Sequence, residues 1–85
     1  MNIQTIGAAY AAKDFKSWSG LPGFRGLART EEGAIVANIN DDQIPVTAHK
    51  NIVINILHSK GLRVTRERLD AFYLGYAQFM ANRIA

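Results

Sequence analysis

The sequence predicts an α+β domain with an N-terminal helix, a small antiparallel hairpin or three-stranded meander, and two C-terminal helices. Three observations predict it. The stretch from Lys60 to Ala85 carries the longest helical pattern in the chain: Leu69, Phe72, Tyr73, Tyr76, Phe79 and Met80 fall within roughly 120° of one another at 100° per residue. The middle, Leu27 to Val46, changes to short β-branched runs separated by turn residues. The whole has 85 residues, enough for a single compact domain, residues 1–85, and no more.

The first helix is expected from Asn2 to about Lys13. Ile3, Ile6, Gly7, Tyr10 and Ala11 share a face, and the alanines favour helix intrinsically. Asp14 would fall inside that apolar stripe, so the helix is expected to end or bend there. Asp14 would then cap a short further turn holding Phe15 and Trp18, with Trp18 as a core anchor. Ser19 to Gly26 reads as a loop, because three glycines and a proline in eight residues continue neither regular structure. Its glycine spacing matches no phosphate-binding or dinucleotide fingerprint. On a mobile loop tip, Phe24 and Arg25 would be free to touch a partner.

Leu27–Thr30 and Ala34–Ile39 flank Glu31-Glu32-Gly33, a hairpin turn with glycine available for positive φ. Alternation places Ile35, Ala37 and Ile39 on one face and Val36 and Asn38 on the other. Asn40 to Gln43 is a second turn. Ile44-Pro45-Val46 would add a third strand, confined to an edge because Pro45 has no amide to donate.

Thr47 to Ser59 fits either regular structure. Residues 50–57 are β-branched enough for a strand. Yet Thr47 stands where an N-cap belongs, Ala48, Ile52, Val53, Ile56 and Leu57 form a helical face, and Gly61 follows as a stop. The helix is taken. Ile54 then lies beyond the edge of its stripe, and Leu74 lies on the back of the last helix, two residues that a second chain or a partner could bury. The last helix starts at Thr65 as N-cap. Ala71 and Gly75 on its back, four apart, would let another helix approach closely, more naturally within the chain than across a dimer.

A hydrophobic fraction of 48% and a charged fraction of 20% are those of a globular chain, not a disordered one. With no cysteine, nothing calls for an oxidising compartment. Ile3 to Ala12 is too short and too alanine-rich for a secretory signal, and no run approaches a membrane span. A cytoplasmic setting without membrane contact is expected.

Catalysis, metal and cofactor are not expected. His49 and His58 sit nine apart without zinc-ligand spacing, and His49 is expected as a packed histidine of the apolar stripe. Asp41 and Asp42 are adjacent and would splay apart in a turn, which does not suit a paired acid and base. Ser59 beside His58 does not make a triad, since triads are assembled from separate elements.

The basic turn is the strongest functional feature. Lys60, Arg63, Arg66 and Arg68 against Glu67 give +3 over nine residues, equal to the net charge of the whole chain. Helix, glycine-containing turn, helix is also the layout of a helix-turn-helix. Arginine suits phosphate and guanine contact. The expected function is therefore a small regulatory protein, without enzymatic activity and as a homodimer, that contacts nucleic acid through Lys60, Arg63, Arg66 and Arg68, with Arg25 and Arg29 as outliers. The alternative is a protein-binding inhibitor or adaptor that occupies the surface of a larger complex, anchored by Phe24, Ile54 and Leu74.

Overall fold

The computed structural model describes residues 2–84. Its order is α1 (Ile3–Ser19), β1 (Phe24–Arg29), β2 (Ile35–Ile39), β3 (Asp42–Pro45), α2 (Lys50–Ser59) and α3 (Arg66–Ala81). This is the expected α+β arrangement, with the three-stranded meander in the order β1-β2-β3.

Asn2 starts α1. Its side-chain oxygen accepts from the Gln4 and Thr5 amides at 2.9 and 3.3 Å, meeting two of the donors a helix start leaves unpaired. The expected break at Asp14 does not occur: α1 runs unbroken to Ser19 and carries Phe15 and Trp18 itself. The reason lies far along the chain. The half-buried Asp14 carboxylate accepts a hydrogen bond from the Tyr76 hydroxyl on α3, so a charge in the apolar stripe has a partner. Trp18 packs against the core as anticipated.

β1 begins three residues earlier than expected, inside what reads as loop. Phe24 pairs with Ile39, and the register then slips by one residue before Leu27 pairs with Ala37. Gly26, at φ +110, sits in that irregularity, a conformation that suits glycine. The Glu31-Glu32-Gly33 turn forms as expected, closed by the Thr30 amide donating to the Ala34 carbonyl at 2.8 Å. The second turn is tighter than expected. Asn40 (φ +55) and Asp41 alone connect Ile39 to Asp42, so Asp42 and Gln43 belong to β3. β3 is the edge strand, as Pro45 requires. At the other edge, Ile84 bridges to Leu27.

Residues 50–59 are helical. Thr47 is not the cap. His49 is, with its Nδ1 accepting from the Asn51 amide at 3.1 Å, and it is exposed rather than packed in the stripe. Ala48 precedes the helix and is buried. The inward face of α2 centres on Val53 and Leu57, both fully buried. Ile52, expected in the stripe, is 40% exposed, while Ile54, expected outside it, is half-buried. Ile54 and Ile56 each lie roughly 80° from the centre of the buried pair and Ile52 roughly 120°, which accounts for the order.

Thr65 caps α3 as expected, accepting the Arg68 amide at 3.2 Å. Phe72, Tyr76 and Met80 are buried, while Leu69, Tyr73 and Phe79 pack at the margin of the core. The closest helix pair is α1 with α3. A Cβ on Gly7 would run into the Phe72 carbonyl, and a Cβ on Gly75 into the Gln4 carbonyl. The two glycines lie reciprocally at one crossing, so the small back face of α3 serves intramolecular packing. The core where these elements meet joins Ala11, Leu27, Ala37, Val53, Leu57 and Phe72.

Candidate functional site

The fold sorts the charges. The helices with their connecting turn and C-terminal end carry eight of the ten basic residues and only Asp14, Glu67 and Asp70, a net of +5. The sheet and its two turns carry Arg25 and Arg29 against Glu31, Glu32, Asp41 and Asp42, a net of −2. A chain of net charge +3 thus presents a cationic helical layer and acidic sheet turns.

The basic turn lies between α2 and α3 and is braced from both sides. The Leu62 amide donates to the Leu57 carbonyl at 2.9 Å, and Gly61 takes φ +73 to end the helix. Leu62 and Val64 are half-buried against the core, which turns the intervening Arg63 outward to solvent. Arg68 is directed inward: its Nη1 donates to the Arg63 carbonyl at 2.7 Å, so it props the turn. Arg66 lies 3.9 Å from Asp70 across one helical turn. With those side chains 92% and 71% exposed, that contact contributes well under ~1 kcal/mol. The exposed side chains opening α3 are thus Arg66, Glu67 and Asp70, a set with more acid than base. A helix with that face is poorly suited to enter a DNA groove as a reading head. The exposed turn residues Lys60 and Arg63 are better suited to phosphate.

A further basic residue joins them. Lys13 of α1 and Lys60 at the end of α2 line one groove of about 340 Å³, with Ile6, Tyr10 and Ile56 as its apolar walls. Among the described residues no acidic side chain borders it. Among the described residues, the one ion pair within 4 Å is Arg66–Asp70, so Lys13, Lys60 and Arg63 are all unpaired. Lys13 lies one helical turn beyond Tyr10, which a helical wheel displays. What a wheel does not display is that α2 ends opposite it.

The other expected site residues lie elsewhere. Arg25 and Arg29 are on β1. Arg25 is exposed, and Arg29 Nη1 donates to the Gly33 carbonyl at 3.0 Å. Phe24 is not an exposed anchor: it is half-buried, edge-to-face with Phe15 at 6.2 Å between ring centres. Ile54 faces a groove of about 520 Å³ between α2 and α3, bordered by Lys50, Val64, Arg66, Leu69 and Tyr73. Leu74 stays 46% exposed. Burial raises the Tyr73 phenol above its ordinary value of 10, and its hydroxyl donates to the Ala48 carbonyl at 2.8 Å. Burial first, then the bond and charge of Asp14, raise Tyr76 far above that value. Among the described residues no group of three or more His, Asp or Glu side chains could hold a metal ion, and no helix is long and apolar enough to cross a membrane.

No protein-family model, curated protein or solved structure matches this chain.

Proposed function

We propose that this is a small non-enzymatic regulatory protein that binds nucleic acid through its phosphates, with Lys13, Lys60 and Arg63 as the principal contacts. Arg66 stands at the margin of that surface, Arg68 acts by bracing the turn, and Arg25 and Arg29 lie outside it. The observation that carries the proposal is the cationic helical layer, net +5, in which these three side chains have no acidic partner among the described residues. Such a surface attracts a polyanion without reading its sequence. The role is a cytoplasmic one. The test is a fluorescence titration with random-sequence duplex DNA at about 50 and 200 mM salt. Three to four phosphate contacts at a slope of about −0.9 each predict a loss of about 40- to 150-fold in affinity over that fourfold change. No binding at the lower salt would sink the proposal.

A second reading, a protein-binding inhibitor or adaptor, is favoured by Leu74. It is 46% exposed, one residue from Tyr73 and the groove that holds Ile54. Here affinity would depend weakly on salt and fall with Leu74→Asp.

A further inference from the structure

Two grooves meet at Tyr73. One, of about 520 Å³, lies between the first turns of α3 and the start of α2, with Lys50 and Arg66 on its rim. The other, of about 400 Å³, lies between α3 and the sheet, with Ile35, Pro45, Val46 and Ala77 on its walls and Arg29 at its rim. Tyr73 lines both. Its hydroxyl is anchored on the Ala48 carbonyl, so its ring is held in place between them. Along α3, Arg66, Asp70, Tyr73 and Ala77 recur at helical spacing on one side of the helix, with Leu74 next to them. The two grooves therefore form one track alongside α3, apolar in the middle, with Arg29 at one end beside the Glu31-Glu32-Gly33 turn and Lys50 and Arg66 at the other. Among the described residues that line it, the one acidic residue is Asp70, already close to Arg66.

We infer that this track takes a short protein segment with acidic residues at both ends and apolar side chains between. Charge complementarity selects that chemistry. Arg29 at one end uses one of its five N–H donors on Gly33 and keeps the rest for a carboxylate. Lys50 and Arg66 receive the other end. The apolar centre excludes a bare polyanion, which would have to lay phosphates over Tyr73, Pro45 and Val46. Length follows from the helix: Arg66 to Ala77 is eleven residues, about 16 Å at 1.5 Å each. An extended chain covers that in about five residues, so the segment lying along α3 should be about five residues long. Tyr73 would be the central aromatic anchor. The inference rests on the protein-binding reading and does not depend on the phosphate surface at Lys13, Lys60 and Arg63.

The test is selection from a random heptapeptide library on the immobilised protein, followed by anisotropy and amide chemical-shift mapping with the enriched peptides. The expected result is enrichment of peptides with paired acidic residues flanking apolar ones, and shifts at Arg29, Tyr73, Ala77 and Arg66. Ala77→Trp fills the track from an exposed helix position and should abolish binding. Arg29→Glu should weaken it about tenfold or more, while Lys60→Ala with Arg63→Ala should leave it unchanged. That last pair should still weaken DNA binding and lower the magnitude of its salt slope by about 2, which separates failure here from failure of the phosphate surface. No enrichment, enrichment of peptides without acidic residues, or binding indifferent to Ala77→Trp would overturn the inference. So would duplex DNA shifting the Tyr73 and Ala77 amides. Self-association of the free protein that Ala77→Trp abolishes would also overturn it, because the occupant would then be a second copy.

Discussion

Gly75→Ala adds one methyl group at the crossing of α1 and α3. In an exposed helix it would stabilise by about 1 kcal/mol, since alanine is the better helix former. Here the new Cβ would be forced into the Gln4 carbonyl carbon and oxygen. That obstacle is backbone inside α1, so no side chain can rotate away. The helices must separate by roughly 1 Å, and a gap of 0.5–1 Å forfeits about a quarter to a half of each dispersion contact it opens. The contacts at stake include Tyr10 against Phe72 and Tyr76, each at 6.1 Å between ring centres. Overpacking of this kind costs about 1–3 kcal/mol, and a backbone obstacle belongs near the top of that range. Against the propensity gain, the net is about 2 kcal/mol of destabilisation.

A chain of this size has a total stability of roughly 4–13 kcal/mol. The loss should lower Tm by about 8–16 °C and shift the urea midpoint at unchanged slope. Gly7→Ala should behave alike, because its Cβ meets the Phe72 carbonyl. The double variant should cost less than the sum, since the first substitution already opens the gap the second needs. Gly20→Ala is the control. Its Cβ would meet nothing nearer than 3.5 Å, and its φ of −83° is ordinary for alanine. Urea denaturation followed by circular dichroism measures all four. A Gly75→Ala protein within about 0.5 kcal/mol of the parent, the normal range for a neutral surface change, would refute the close approach and with it the α1–α3 geometry.

Lys13→Ala should reduce the magnitude of the DNA salt slope by about 1 and leave Tm unchanged, read from titrations at several salt concentrations. Because Tyr76 is protonated in the fold far above the pH at which it ionises in the unfolded chain, its contribution is complete below pH 10. Above that it is lost by about 1.4 kcal/mol per pH unit until the folded form ionises too, so urea midpoints should fall from pH 10 upward and fall less steeply in Tyr76→Phe. That variant should also cost about 1–3 kcal/mol at neutral pH by leaving Asp14 without its donor. Arg68→Lys should free the turn, because an ammonium cannot reproduce the guanidinium reach to the Arg63 carbonyl. Faster amide exchange at residues 62–65, with the DNA salt slope kept, would separate a brace from a contact.

What was legible in the sequence was what short-range pattern encodes. The Thr65 cap, the stripe of α3, the Glu31-Glu32-Gly33 turn and the edge position of Pro45 each depend on neighbours within a few residues. The misreadings depend on partners far away. Asp14 reads as a helix breaker until its acceptor role toward Tyr76, 62 residues on, is known. Phe24 reads as loop because Gly23 and Gly26 flank it, and only pairing with Ile39 makes it strand. Thr47 and His49 are both able to cap a helix. The choice fell to His49 because Ala48 is drawn into the core, which leaves Thr47 two residues too early to begin α2. The candidate site divides the same way: the charge of residues 60–68 is local, whereas the contribution of Lys13 and the track beside Tyr73 exist only once the helices are placed.

Both surfaces turn on α2, the element whose conformation the sequence left most open. As a strand, residues 50–57 would alternate, and Val53 and Leu57 would share a face with Asn51 and Asn55. As a helix, Val53 and Leu57 alone are fully buried, and the two flanks each border a groove. One flank carries Ile56, with Lys60 just past the helix end, opposite Lys13 of α1. The other carries Lys50 and Ile54 toward Arg66 and Tyr73 of α3. A ten-residue helix held by two buried side chains leaves a groove along each flank. It gains its fixed position instead from the braced turn that follows, where Leu62, Val64 and the Arg68 guanidinium hold the chain between α2 and α3. That brace also fixes the backbone at Arg63, which would lower the ordering cost of a contact made by the proposed phosphate surface. The two surfaces therefore share a support without sharing their principal contacts. Loss of the brace should weaken both, whereas a substitution on one flank of α2 should leave the other intact.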